Sequence, residues 1–246
     1  MNIDFKGKRV LVTGATRGIG RKIAEDLAEA GAELILTGTN EDEIKKLNLS
    51  GGPNMKYYRV DFTDTGSVEG FLKELGKFDR IDVCINNAGI NKIDLIDEVE
   101  DKDWDDIIAV NLKGPFLLTR AVSGIMKKNG YGRIVNIASI FGVVSKEKRS
   151  TYSTTKFGLR GMTKAASNEL AGYGVLVNAV SPGFVLTDLT RSILSEKEMK
   201  EIAQRVPAKR LAQPEDISKV VLFLASDLNT YLTGKNIVVD GGFIDV

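Results

Sequence analysis

The chain has 246 residues, 43% of them hydrophobic and 27% charged, a length and balance suited to one sizeable buried core. With 34 Lys and Arg against 33 Asp and Glu, its net charge of +1 supplies no long-range field of the kind that marks a nucleic-acid or membrane-surface binder. Histidine is absent and Cys84 is the only cysteine, which excludes a Ser-His-Asp hydrolase, a histidine-ligated zinc site and an intrachain disulfide; no metal site is expected.

Residues 9–12 form a β-rich run ending at Thr13-Gly14, and Ile19, Ile23 and Leu27 then repeat at helical spacing until Gly31 stops the pattern. A second strand is predicted over 34–36 and a short charged helix over 40–47, broken by Ser50-Gly51-Gly52-Pro53-Asn54. Strand three follows over 57–60, a short helix over 67–75, and strand four over 81–85, where Cys84 reads as a small buried hydrophobe. Residues 103–128 predict a long helix whose apolar face carries Trp104, Ile107, Ile108, Phe116, Leu117, Val122, Ile125 and Met126, with a kink or break at Gly114-Pro115. Strand five is predicted over 133–138, a helix over 151–171 and strand six over 176–180. Residues 190–205 are polar and weakly periodic, as expected of a mobile excursion over a site. Pro214-Glu215-Asp216 open a helix to Ala225, and strand seven over 236–239 closes at Asp240-Gly241-Gly242.

Strands and helices alternate, the strands are continuous apolar runs, and the connections are short. The expectation is an α/β fold: one doubly wound parallel sheet with helices on both faces, a single domain over 1–246. No apolar run reaches the roughly 18 residues of a membrane span, and residues 1–8 are polar and lead straight into a strand, leaving no room for a signal peptide. A soluble cytoplasmic protein without membrane or nucleic-acid partners is expected.

Between strand one and helix one lies Thr13-Gly14-Ala15-Thr16-Arg17-Gly18-Ile19-Gly20. Glycines there permit a tight turn and let the backbone approach a pyrophosphate at the helix N-terminus, so a dinucleotide site is predicted. At the end of strand two, Thr37-Gly38-Thr39-Asn40 places no carboxylate at Gly38, while Arg17 could meet a ribose 2′-phosphate. NADP(H) is therefore favoured over NAD(H), with Glu41 and Asp42 the acids that a shift of register would bring near the ribose. Asp61, with Phe62 beside it, is either a turn cap or a partner for the adenine ring. Asn86-Asn87-Ala88-Gly89 after strand four could let a ribose lie on the backbone; after Pro182-Gly183, Val185 and Thr187 are candidates for the nicotinamide carboxamide.

A helix over 151–170 puts Tyr152 and Lys156 at i and i+4, on one face about a turn apart. An adjacent ammonium favours the phenolate, which would make the tyrosine a proton donor and acceptor near neutrality. Ser139 ends the apolar run over 134–138, where a hydroxyl could be held beside that pair. The three groups can polarise a carbonyl and hand it a proton, the hydride coming from the cofactor. The alternative is a solvated helix-surface pair.

The Gly14–Gly20 pattern, Asn86-Asn87-Ala88-Gly89, Asn111, Ser139, Tyr152-x-x-x-Lys156 and Pro182-Gly183 occur in the order and spacing of the short-chain dehydrogenase/reductase family, which the whole chain resembles, most closely its bacterial 3-oxoacyl-acyl-carrier-protein reductase members. The resemblance implies a tetrad: Tyr152 as general acid or base, Lys156 tuning it and holding the nicotinamide ribose, Ser139 orienting the carbonyl, and Asn111 holding a water that relays protons to Lys156. It implies a strand order of 3-2-1-4-5-6-7, frequent homotetramers packed through the helices over 103–128 and 151–171 and through the C-terminal strand, and reduction of a 3-oxoacyl thioester. The same tetrad also serves polyol, sugar or other secondary-alcohol dehydrogenases, and a non-catalytic dinucleotide sensor would need neither Tyr152 nor Ser139. The chain departs from the carrier-protein reductases over 145–150, a charged run that is either a solvated loop or meets an anionic substrate. Tyr173 replaces a basic residue that would help dock an acyl carrier protein and Leu186 a common acid, while Lys127, Lys128 and Arg133 read as basic surface.

Overall fold

In the computed structural model, which describes residues 3–245, the apolar runs pair side by side in parallel. β1 (Arg9–Val12), β2 (Glu33–Gly38), β3 (Met55–Arg59), β4 (Val83–Asn86), β5 (Gly132–Ile137), β6 (Val175–Pro182) and β7 (Asn236–Val239) form one seven-stranded sheet in the order β3-β2-β1-β4-β5-β6-β7. Met1, Asn2 and Val246 lie outside the described residues, and with them the two ends of the domain read over 1–246 and the start of the lead-in over 1–8. No helix among the described residues is long and apolar enough to cross a membrane.

The continuous apolar runs conceal an alternation that the two faces share. Val10, Val12, Leu34, Leu36, Val83 and Ile85 pack with Ile23 and Leu27 of α1 (Gly18–Glu29) and with Ile217, Val221 and Leu224 of α9 (Pro214–Ala225). Leu11, Ile35, Cys84 and Ile134 point the other way, to Val68 and Phe71 of α3 (Thr65–Leu75) and to Leu118, Val122 and Met126 of α5 (Gly114–Asn129). With both faces covered, neither needs polar residues. Burial pushes the Cys84 thiol up to about 12, so it packs and does not react.

The structure corrects the sequence in four places. The helix over 103–128 is interrupted before Gly114-Pro115, by a π-helical turn, Ala109–Lys113, that joins α4 (Asp101–Ile108) to α5. Pro115 falls in the first turn of α5, where its missing N–H is no loss. On these helices Trp104 and Phe116 are 41% and 48% exposed and stand outside the core. The segment over 190–205 is ordered as α7 (Asp188–Ile193) and α8 (Glu196–Arg205). These helices bury no residue, hence their weak periodicity; a capping box between Ser195 and Glu198 holds the start of α8 instead. Arg133 is buried in β5, where its guanidinium donates to the carbonyls of Gly132, Gly174 and Asn229, and so contributes no basic surface.

Candidate active site

The loops that leave the carboxyl ends of β1 and β4 are tied together. Thr13 Oγ1 accepts the N–H groups of Asn87 and Ala88, both at 3.0 Å, and Asn87 Nδ2 donates to the carbonyls of Thr13 at 2.9 Å and Gly14 at 3.0 Å. A Cβ on Gly20 would stand 2.2 Å from the Gly14 oxygen and 2.3 Å from Asn87 Nδ2, so only glycine lets α1 start this close to the knot. Gly14 and Gly18 take left-handed φ values of 62° and 56°, and α1 begins with no side-chain cap. Its first-turn N–H groups stay available to an anion, as a pyrophosphate requires.

This edge of the sheet encloses a cavity of about 610 Å³. Gly14, Thr16, Arg17, Gly18, Ile19 and Gly20 line it from the first loop, Thr39 from the end of β2, and Asp61 and Phe62 from the end of β3. Asn87, Ala88 and Gly89 line it past β4, Ser139 past β5, and Pro182, Gly183, Val185 and Thr187 at and after the end of β6. Tyr152 and Lys156 enter from α6 (Ser150–Leu170). Asp61 lines the cavity, and its Oδ1 accepts from the hydroxyl and N–H of Thr63 in a local turn, which hold its carboxyl below the usual range.

Sequence reasoning missed Glu43. Asn40 caps α2 (Glu41–Ser50) by accepting the Glu43 N–H at 2.9 Å, and this acid lines the cavity, while Glu41 pairs with Lys45 at 2.9 Å. Recognising Asn40 as the cap would have set the helix phase and found it. Leu189 and Thr190 of α7 also line the cavity.

Ser139 caps the 3-10 turn Ile140–Gly142, its Oγ accepting the Phe141 N–H at 3.1 Å, so that its own hydrogen can be donated to the Tyr152 oxygen. The turn rests on α6: a Cβ on Gly142 would lie 2.8 Å from the Lys156 carbonyl oxygen. Lys156 is buried, its Nζ donating to the Ile137 carbonyl at 2.9 Å and lying 5.5 Å from the centre of the Tyr152 ring. Asn111 does not line the cavity. It is fully buried behind it, exchanging hydrogen bonds of 2.9 Å with the N–H and carbonyl of Ile90 and donating to Thr155 Oγ1 at 3.3 Å. A Cβ on Gly89 would stand 3.5 Å from Asn111 Oδ1 and 3.6 Å from Lys156 Nζ, so the bare glycine keeps the space between them open.

The electrostatics differ from the expected pattern. Burial raises the Tyr152 phenol above its usual range, opposed by a hydrogen bond with Ser139 and by the Arg149 charge, not by Lys156. Burial lowers the amine, which donates to the Ile137 carbonyl, to about 8, so it is already neutral at the pH where the phenol would ionise. Below pH 8 the folded protein carries a buried ammonium that the unfolded chain solvates freely, a penalty of about 3 kcal/mol that disappears as pH rises from 8 to the lysine's usual range. Lys156→Met should therefore gain stability over wild type at pH 7, less what the lost bond to Ile137 contributes, and the gain should shrink by pH 10. Chemical denaturation of both proteins at the two pH values checks this; a gain that grows with pH contradicts it.

A protein-family profile described as enoyl-(acyl carrier protein) reductase matches residues 14–244. The chain is 41% identical over 241 residues to the 3-oxoacyl-(acyl-carrier-protein) reductase of Escherichia coli (strain K12), covering 98% of each chain. Among solved structures, a short chain dehydrogenase/reductase family protein matches with TM-score 0.91 and 31% identity over 99% of this chain and 100% of its own. A gluconate 5-dehydrogenase from Burkholderia cenocepacia J2315 in complex with NADP and tartrate matches with TM-score 0.90 and 30% identity, over 99% and 97% of the two chains.

Proposed function

The chain belongs to the short-chain dehydrogenase/reductase family, and on that footing we propose that it reduces the carbonyl of a 3-oxoacyl thioester to a secondary alcohol with NADPH. The observation that carries this reading is the convergence, in one cavity, of the uncapped, glycine-bared start of α1 with Ser139, Tyr152 and Lys156. The 41% identity to a 3-oxoacyl reductase exceeds the 30% to the gluconate dehydrogenase, which favours the thioester. The tartrate complex of that neighbour supports a second reading, oxidation of a small hydroxy acid or polyol by the same residues.

NADPH, when bound, supplies the hydride. The residues around it bind, orient and protonate. The first-turn N–H groups of α1 would hold the pyrophosphate, and the Ser139 hydroxyl, hydrogen-bonded to Tyr152, would turn its hydrogen to the carbonyl oxygen and polarise it. A phenol held above its usual range keeps its proton at neutral pH, which suits Tyr152 to donating in the reductive direction. Lys156, lowered to about 8, can restore that proton, with Asn111 behind it across the gap at Gly89. Among the charged residues that line the cavity, Arg17 attracts a 2′-phosphate and Glu43 opposes it. We assign NADPH preference to Arg17: Arg17→Ala should weaken NADPH binding by about 10- to 100-fold and NADH binding little, by fluorescence titration. Tighter binding of NADH than NADPH by wild type overturns the assignment.

The reading extends to a cytoplasmic homotetramer acting on substrates held by an acyl carrier protein. Exposure of Trp104, Phe116 and Phe157 on α4, α5 and α6 supports helix packing between copies, and Lys127 and Lys128 offer basic surface to an acidic carrier. A substrate panel of 3-oxoacyl thioesters, gluconate and neutral ketones with both nicotinamides tests the whole reading. Turnover confined to gluconate would transfer it to the second alternative.

A further inference from the structure

Gly38 is a glycine that its backbone does not ask for. It is the last residue of β2, paired with Arg59 of β3 and giving its carbonyl to the Val60 N–H at 2.8 Å, and its φ lies outside the left-handed region. A glycine inside a strand weakens it and often marks a place where something else comes close. Here that neighbour is the first loop. A Cβ on Gly38 would stand 2.4 Å from Thr16 Cγ2, with Thr16 Cβ and Oγ1 both at 3.6 Å. The loop is held where it is: the Ala15 N–H donates to the Thr37 carbonyl at 2.8 Å and the Gly14 N–H to Thr37 Oγ1 at 3.3 Å, while Asn87 Nδ2 grips the Gly14 carbonyl. Nor can Thr16 yield by degrees. Its β-branched side chain turns in steps of about 120°, and two of the three rotamers keep a methyl or a hydroxyl against Gly38.

Thr16, Arg17 and Gly38 all line the cavity. The end of the second strand is where a dinucleotide site built for the unphosphorylated cofactor carries its acid, whose carboxylate accepts from the ribose hydroxyls. We infer that Thr16 is a specificity-determining residue: its methyl fills the place where that acid would begin, which bars this strand end from gripping the ribose of NADH and leaves the choice of cofactor to Arg17. The inference deepens the NADPH reading and rests on it. It also moves the cause of the acid-free strand end from β2 to the loop that faces it, so positions 16 and 38 form one coupled unit.

The test makes Gly38→Ala and Gly38→Asp in the wild-type protein and together with Thr16→Ser, which deletes only the methyl. Gly38→Ala alone should lower the thermal midpoint by about 3–8 °C, and Thr16→Ser should recover most of that loss. In fluorescence titrations Gly38→Asp alone should bind NADPH about 100-fold more weakly than wild type and NADH no more tightly. Joined to Thr16→Ser, it should bind NADH about 10- to 100-fold more tightly than the single variant does and prefer it to NADPH. Thr16→Ser by itself should keep the wild-type order of the two cofactors. An equal fall in midpoint with and without Thr16→Ser overturns the proposal. So does a Gly38→Asp variant that takes NADH as tightly as the double variant, or a double variant with no gain for NADH. If Gly38→Asp folds in neither form, the Gly38→Ala midpoints decide alone. Wild type that prefers NADH, or binds neither nicotinamide, counts against the parent reading, while the midpoints still judge the coupling of Thr16 to Gly38.

Discussion

Tyr152→Phe should lower kcat for the 3-oxoacyl thioester by about 10³-fold or more and leave NADPH affinity within a few-fold of wild type. The substitution removes one oxygen and nothing else. The ring keeps its edge-on contact with Phe141, and α6 keeps its backbone, so Lys156 still reaches the Ile137 carbonyl. What is lost is the proton donor that burial keeps charged with its proton at neutral pH. Without it the developing alkoxide has only the Ser139 hydroxyl and water, and losing a positioned general acid typically costs 10²–10⁴-fold. Single-turnover kinetics and a fluorescence titration of NADPH separate the two quantities. A parallel fall in both would make Tyr152 a structural residue.

Gly20→Ala should abolish NADPH binding and destabilise the protein by about 2–3 kcal/mol or more, a large effect for one methyl group. The new carbon would overlap the Gly14 carbonyl oxygen at 2.2 Å and Asn87 Nδ2 at 2.3 Å, and neither can retreat. Asn87 is anchored to both Thr13 and Gly14, and Thr13 Oγ1 holds the Asn87 and Ala88 backbone. Relief requires moving α1 away from the loop it crowns, which removes the first-turn N–H groups from the pyrophosphate position. Gly70→Ala is the matched control. It lies in α3 with no atom within 4 Å of a new Cβ and should stabilise by about 0.5–1 kcal/mol through helix propensity. Thermal melts of both variants decide the point: similar behaviour would mean that the Gly20 contacts yield more readily than the geometry allows.

Much of this architecture was legible because parallel strands covered on both faces write themselves as unbroken apolar runs. The glycine loop, the acid-free end of β2 and the Tyr152/Lys156 spacing were legible for a similar reason, since each depends on residues close in sequence. What escaped depends on tertiary contact or helix phase. Glu43 reaches the cavity through the cap at Asn40, and the π-turn around Asn111 has no compositional mark separating it from the helices it joins. Helices α7 and α8 hid because they bury no face and are held by caps and charges. Arg149 sits in an otherwise exposed charged run, and its burial, with the guanidinium over the Phe141 ring, is a tertiary fact that the sequence does not mark. The direction of the Tyr152 shift was misjudged because residue spacing reports a nearby amine but not the burial that raises the phenol and strips the amine of its charge.

Mass spectrometry of the alcohol formed from a 3-oxoacyl thioester and NADPH deuterated at the transferred position of C4 tests whether this cavity moves a hydride. The account predicts one deuterium per product molecule, on the carbon that bore the reduced carbonyl. Thioester recovered unchanged by protein that binds NADPH tightly, or product carrying protium at that carbon, would contradict it.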